Sequence, residues 1–231
     1  MSFPSSKLRV TRKLILASVS PRRIGILKAA GIDFDILPTS LPERQKKGES
    51  AREFVSRMAT EKAEAALALL RQSCAFPILG ADTVVVVGRQ TLGKPASPQE
   101  ARRMLRLLSG RQHKVLTGLC LLYPAMRPFP QLSKLDVQWA RDVQVASTTV
   151  KFCLLTREEI EQYVATGEPL DKAGAYAIQG MASKYVEWIR GCYFNVVGLP
   201  ISLLYRMLRK ANQSRESLPR AKSRGKGTVR A

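Results

Sequence analysis

Two arginines stand where the start of a helix favours acids. In "ILASVSPRRIGILKAAG", residues 15 to 31, an apolar strand-like run ends, Ser20 and Pro21 supply an N-cap and a first helical position, and Arg22 and Arg23 fill the first turn. The open N–H groups and partial positive charge of a helix start disfavour each cation by a few tenths to about 1 kcal/mol. A bound polyphosphate reverses that sign. Each charge-assisted hydrogen bond to an anionic oxygen is worth about 1.5–3 kcal/mol, and the helix N–H groups with the hydroxyls of Ser18 and Ser20 add donors. Pairing of both arginines with surface acids is the competing reading.

Other charges sit in apolar settings. Lys62 lies four residues after Met58 and three before Ala65, on the apolar face of a helix, where an unpaired ammonium costs several kcal/mol. Its alternative is a packed stem with the head reaching water. Asp82 interrupts the strand-forming run "PILGADTVVVVG", where it must be paired, protonated or metal-bound unless it pins a bulge. In "GEPLDKAGAYAIQG", Glu168, Asp171, Lys172 and Gln179 lie among small residues that let backbone approach a ligand, or form an ordinary polar loop. Glu43, in "LPERQKKGES", is unremarkable on local grounds.

Two chemistries are excluded. The stretch Gly88 to Lys94, "GRQTLGK", imitates the beginning of a phosphate-binding P-loop, but Pro95 follows, with no hydroxyl for magnesium, and the next helix is capped only at Ser97. Lys94 remains able to reach a phosphate as a point charge. His113 is the only histidine, in what reads as a turn into a strand, so neither a histidine zinc cluster nor a Ser-His-Asp triad is indicated. A metal suited to this side-chain set is a hard cation on carboxylates, magnesium or manganese.

The elements that must position these residues alternate, which predicts an α/β protein. Strands are expected at 14–17, 78–87, 115–123 and 143–152, and helices at 21–30, from Ser50 to about Arg71, at 98–109, from Thr156 to Gly167 and at 201–210. The capping pairs Ser50/Glu53, Ser97/Glu100 and Thr156/Glu159 mark three helix starts. The segment from Pro124 to Ala140, with three prolines, reads as a loop. With 231 residues and 45% hydrophobic content, one large globular domain is expected, two-lobed in outline. It is flanked by a short basic extension (1–13) and a disordered basic tail (211–231), with the domain proper at 14–210. The longest apolar runs fall far short of the roughly 20 residues a membrane span requires, so no membrane partner is expected, and the N-terminal stretch lacks the apolar core of a secretory signal. Cys74, Cys120, Cys153 and Cys192 form no Cys-x-x-Cys pair, so reduced thiols and a cytoplasmic setting are expected. The net charge of +20 includes nine Lys/Arg against the single acid Glu216 from Arg206 onward. That tail reads first as solubilising and second as a weak binder of polyanions, while the basic body fits an anionic ligand.

Seven blocks in order, "LASVSPRR", "EKA" at 61–63, "GADT" at 80–83, "GKP" at 93–95, "MLRLLSGRQH" at 104–113, "GEPLDKAGAYAIQG" and "NVVGLP" at 195–200, resemble the Maf-like nucleotide pyrophosphatases over about Leu14 to Leu208. The resemblance implies an elongated, mixed-sheet α/β fold of the Maf/ITPase type with a central cleft. It implies hydrolysis of a nucleoside triphosphate to monophosphate and pyrophosphate with Mg2+ or Mn2+. Asp82 matches the family's catalytic acidic residue, expected to activate water or hold the metal, and Ser18, Arg23, Glu43, Lys62 and Lys94 match residues lining the phosphate and metal site, with Glu43 and Asp82 as metal ligands. Arg22, Thr83 and Gln179 resemble the subgroup acting on dTTP and UTP, the alternatives being a 7-methyl-GTP-type pyrophosphatase or a basic nucleic-acid-binding, division-regulating protein. A homodimer is among the expected partners. The sequence departs from the family pattern at Gly93, Ala177 and Ala182-Ser183, which bears on metal binding and on the base pocket.

Overall fold

In a computed structural model, residues 13–70, 76–125 and 138–216 are described. Seven strands form one mixed sheet in the order β2 (Phe34–Ile36), β1 (Leu14–Leu16), β3 (Ile78–Val87), β5 (Gln112–Ala125), β6 (Gln138–Phe152) and β7 (Val186–Arg190), with β4 (Gln90–Leu92) on the edge of β3. The first three run parallel, and the rest pair antiparallel. The expected mixed-sheet α/β class is what forms.

The arrangement turns on β3. One side of it pairs with β5 along almost its whole length, from Ile78 opposite Leu122 to Val86 opposite Lys114. On the other side β1 pairs only at Ile78 and Leu79, and β4 only at Val85 to Val87. Among the described residues, no strand covers 80 to 84 on that side. The polypeptide leaves the end of β1 there and turns into α1 (Pro21–Ala29), the place where parallel α/β sheets open a crevice.

Alternation along β3 sends its residues to two faces. Leu79 and Ala81 join Leu14, Leu16 and Leu119 under α1 and α6 (Ile201–Glu216) through Ile26, Leu27, Leu204 and Met207. Further along the same face Val85 and Val115 pack beneath α3 (Pro98–Leu108) and α4 (Arg157–Ala165) through Met104, Leu105, Ile160 and Tyr163. The opposite face carries Ile78 and Val84 under α2 (Ala51–Leu69), whose Ala59, Ala63 and Met58 meet it.

Two glycines set how closely α2 lies on the sheet. A methyl group on Gly80 would fall 1.9 Å from the Ala59 carbonyl oxygen, and one on Gly118 of β5 would fall 2.3 Å from that of Val55. These obstacles are helix backbone, which cannot rotate away. Because Gly80 and Asp82 share a face of β3 and Ala63 is next to Lys62, this contact also sets the separation of Lys62 from Asp82.

Several expected boundaries are corrected. Strand β5 begins at Gln112 and β6 at Gln138, so Trp139 and Ala140 lie in a strand, where they pair with Pro124 and Tyr123. Long two-stranded pairing overrides the local loop composition. His113 is inside β5 opposite Val150, not in a turn, and is buried beside Phe152 with Nε2 2.8 Å from the Tyr176 hydroxyl. Burial pushes its imidazole down to about 4. The last helix continues to Glu216, so 211–216 is helical and not the start of a disordered tail; its Ala211 joins Met207 and Leu208 on the buried face. Strands β2, β4 and β7 and the short helix α5 (Tyr193–Val197) are too brief to leave a periodic signature. Cys120 is buried and free, Cys153 and Cys192 are half-buried and free, and Cys74, residues 1–12, 126–137 and the rest of the tail lie outside the described residues. Among the described residues, no helix is long and apolar enough to cross a membrane.

Gly80→Ala is expected to lower the unfolding free energy by about 1–3 kcal/mol through overpacking, measured by urea denaturation. Gly25→Ala, on α1 with open space at its Cβ, is the matched substitution, expected to leave stability unchanged or raise it by up to about 1 kcal/mol. Equal stability of the two variants would remove Gly80 from its role as the contact point.

Candidate active site

The uncovered stretch of β3 forms the floor of a cleft of about 540 Å3, within the usual range for small-molecule sites. Its walls come from the β1–α1 turn (Ser18 to Arg23), the loop before α2 (Thr39 and Glu43), α2 itself (Phe54 and Lys62), the β4–α3 connection (Gly93 and Lys94), the loop after α4 (Asp171, Ala173 and Tyr176) and the end of α5 (Val196 to Gly198). Ser18, Arg22, Arg23, Glu43, Lys62, Asp82, Thr83 and Lys94 therefore converge. Gln179 does not. It is exposed on the turn after Ile178, which packs inward against both core clusters on that face, and Tyr176 lines the cleft in its place.

At the centre, the Lys62 ammonium donates to Glu43 Oε1 at 2.6 Å and to Asp82 Oδ1 at 2.7 Å. Lys62 and Asp82 are both buried, whereas the Glu43 side chain is 41% exposed. An ammonium has three donors, so one N–H remains for a ligand among the described residues. The two carboxylates are pushed in opposite directions. Burial raises Asp82 above the usual carboxylate range despite the opposing charges of Lys62 and Arg23. Burial acts the same way on Glu43, but there the Lys62 hydrogen bond and the charges of Lys62, Lys94 and Arg23 prevail, and the net direction is down. Paired carboxyls separated in this way divide acid–base labour, and Asp82 is the better proton acceptor of the two.

Arg23 has a different role from the one its sequence position suggests. Its guanidinium donates to Gly198 O at 2.9 Å, Ala81 O at 3.0 Å, Ser18 Oγ at 3.1 Å and Thr83 Oγ1 at 3.1 Å. Leu79 O is already taken by the Ala17 N–H, so Ala81 O is the next carbonyl along the open edge of β3. The arginine stands in for the missing strand, satisfying a buried acceptor that would otherwise be left without a partner. Four of its five N–H groups are committed and one is left for an anion. Burial lowers its pKa, with Asp82 acting in opposition.

A hydroxyl relay continues from it. Thr117 Oγ1 donates to Asn195 O at 3.2 Å, so the 3.0 Å contact between Thr83 and Thr117 is donated by Thr83. Thr83 consequently has lone pairs but no free proton, and can only accept from a substrate. The buried Asn195 amide in turn donates to Val115 O and to Thr148 Oγ1. Ser18 Oγ accepts from Arg23 and from the Ser20 N–H, keeping its own proton for the cleft. The Ser20 side chain makes no cap bond and the first turn of α1 holds no acid, so that helix start is open to an anion. Half-buried Arg22 and exposed Lys94 add charge at the rim.

The loop after α4 is held rigidly. Glu168 accepts from the Tyr163 hydroxyl and the Met181 N–H, and Lys172 donates to the Glu168 carbonyl, which leaves Asp171 as the loop's acid in the cleft. The Gly174 N–H donates to Gly93 O, tying this loop to the connection that carries Lys94. Ala175 has φ +59°, a backbone conformation costing about 1–2 kcal/mol outside glycine, and Tyr176 follows it directly.

Glu43 and Asp82 are two hard oxygen donors brought to one nitrogen, and no group of three or more His, Cys, Asp or Glu side chains meets among the described residues. Two carboxylates completed by phosphate oxygens suit Mg2+ or Mn2+ better than Ca2+ or a softer metal such as Zn2+ or Cu2+. Thr117, Asn195, Tyr176 and Gly198 escaped the sequence reading. Tyr176, Asn195 and Gly198 lay in recognisable blocks, but nothing local marked Tyr176 as lining the cleft or the Gly198 and Asn195 carbonyls as partners of Arg23 and Thr117.

The sequence pattern of the family described as "Maf-like protein" matches residues 13–211. Relatives called dTTP/UTP pyrophosphatase include those of Koribacter versatilis (43% identical over 198 residues, 86% of this chain and 94% of theirs), Desulforamulus reducens (44% over 199, 86% and 96%) and Anaeromyxobacter dehalogenans (46% over 199, 86% and 94%).

Replacing Lys62 with Met leaves Asp82 buried and unpaired, and is expected to cost about 3–5 kcal/mol of stability at neutral pH. An Asp82 pKa raised by folding stabilises the native state below the ordinary carboxylate pKa, and that contribution is lost as pH rises through the raised value. The deficit of Lys62→Met relative to the parent should therefore shrink as pH is lowered toward 4 in urea titrations. A deficit independent of pH would mean that Lys62 does not carry the Asp82 charge.

Proposed function

Because this chain belongs to the Maf-like protein family, we propose that it is a nucleoside triphosphate pyrophosphatase that hydrolyses dTTP and UTP to the monophosphate and pyrophosphate. One observation carries the reading: a buried carboxylate with a raised pKa shares a cleft with an uncapped helix start and with Arg22, Lys62 and Lys94. In such a cleft Asp82 accepts the proton of a water that attacks the α-phosphorus, the bond to the bridging oxygen breaks, and pyrophosphate departs. Lys62 holds Asp82 in place and offers its third N–H to a phosphate oxygen. Lys94, Arg22 and the Ser18 hydroxyl receive the charge that grows on the leaving pyrophosphate, the largest contribution available in phosphoryl transfer. Thr83, restricted to accepting, reads a donor on the sugar or base.

Glu43 and Asp82 would hold a divalent cation, Mg2+ or Mn2+, together with phosphate oxygens. When bound, that ion supplies charge neutralisation and lowers the pKa of a coordinated water. A soluble nucleotide substrate is compatible with the cytoplasmic setting expected from the reduced thiols.

Pyrophosphate release assayed over a panel of nucleoside triphosphates should be fastest with dTTP and UTP and should stop with chelator. Asp82→Asn is expected to lower kcat by about a hundred- to ten-thousandfold while retaining the parent's circular dichroism and nucleotide binding. In the parent, kcat/KM should fall as pH drops through the raised Asp82 pKa, so the acidic limb lies above the ordinary carboxylate range. Near-parent turnover by Asp82→Asn would overturn the assignment, and a preference for 7-methyl-GTP would move the chain to another specificity.

A further inference from the structure

Glu43 is the least anchored member of the central cluster. It lies in the segment between the end of β2 at Ile36 and the start of α2 at Ala51, which has no regular hydrogen-bonded structure, and its side chain is 41% exposed. Besides the Lys62 contact and the packing of Leu41 against the cluster of Phe54 and Met58, this segment is held by Arg57 of α2. Arg57 Nε donates to Glu49 Oε1 at 2.6 Å and Nη2 to Glu49 Oε2 at 2.8 Å, a two-pronged pairing. The same Nη2 donates at 3.0 Å to the carbonyl of Arg44, the residue directly after Glu43. Nη1 is taken by the Glu61 carboxylate and the Met58 sulfur, so every N–H of the fork is engaged. Glu49 in turn accepts from the Lys46 N–H, closing the segment on itself.

Solitary surface ion pairs contribute little, but this one differs in geometry and in what it reaches. The Arg57 and Glu49 side chains are 20% and 10% exposed, the carboxylate is gripped by both prongs, and the arginine also grips the backbone next to a proposed metal ligand. We propose that Arg57, acting through Glu49 and the Arg44 carbonyl, is the positioning residue that keeps Glu43 facing Lys62 and Asp82, and thereby sets the affinity of the site for a divalent cation. The proposal rests on the reading of Glu43 and Asp82 as the cation's carboxylates. A lysine cannot replace the fork, because one ammonium cannot span Glu49, Glu61 and the Arg44 carbonyl in those directions.

The test uses the full chain with Mn2+ alone as probe. Free Mn2+ is followed by electron paramagnetic resonance in the parent, Arg57→Gln, Arg57→Lys and Glu49→Gln. All three variants are expected to bind Mn2+ about 10–100-fold more weakly, the usual consequence of losing a group that orients a metal ligand. In turnover assays with dTTP, the Mg2+ concentration for half-maximal rate should rise while kcat at saturating Mg2+ returns to near the parent value. Limited trypsin digestion should cut faster after Arg44, Lys46 and Lys47 in the variants. Unchanged Mn2+ affinity in Arg57→Gln, even with a lowered melting temperature, would overturn the positioning role, as would full rescue by Arg57→Lys. Absence of saturable Mn2+ binding by the parent would instead overturn the assignment of Glu43 and Asp82 to a cation, a failure distinct from that of Arg57.

Discussion

A single ammonium, that of Lys62, holds two carboxylates at hydrogen-bond distance inside a protein that is otherwise strongly basic. Burying these charges carries a desolvation cost that apolar side chains of the same volume would avoid, so the cluster is poorly explained by stability. It is well explained by a ligand that adds negative oxygens and a cation to the same point. The surrounding architecture serves that point: Gly80 and Gly118 let α2 lie directly on β3 and β5, which brings Lys62 of the helix onto Asp82 of the strand. The segment carrying Glu43 then closes over the pair.

The second organising feature is an omission in the sheet. β3 has a neighbour on both sides at its two ends but on only one side in the middle, and that opening is the cleft. An exposed strand edge leaves backbone groups to satisfy. Arg23 does so at Ala81, and in the same act fixes Ser18, Thr83 and Gly198 around the opening. Most of its hydrogen-bonding capacity thus goes to building the site and little to filling it. Arg22, Lys62 and Lys94 are left as the cations with donors to offer, and the polarity of Thr83 is settled before any substrate arrives, because its proton already belongs to Thr117.

Much of this was legible in the sequence where a residue offended its local setting. Arginines at a helix start, a lysine on an apolar helical face and an aspartate in a β-branched strand each violate a local preference, and all of them reach the cleft. Glu43 was visible only through family resemblance, since a glutamate in a polar loop offends nothing. Arg57 was illegible for the same reason: its partners lie at Arg44 and Glu49, and the importance of the pairing appears only when the segment is seen to pass over Lys62. Gln179 stands in a telling block as well, but the turn after Ile178 leaves it exposed outside the cleft lining, which Tyr176 of the same block joins. The long β5–β6 pairing and the extra turns of α6 were missed because partners distant in sequence sustain them against local composition.

Whether the Lys62, Asp82 and Glu43 cluster exists to receive a polyphosphate is decided by a crystal structure of the chain with Mg2+ and a dTTP analogue whose α,β-bridging oxygen is replaced by methylene. The α-phosphate is expected beside Asp82, one of its oxygens on the free Lys62 N–H, and the distal phosphates at the start of α1 within reach of Arg22 and Lys94. A nucleotide seated elsewhere, or one whose phosphates leave Asp82 and Lys62 untouched, would contradict it.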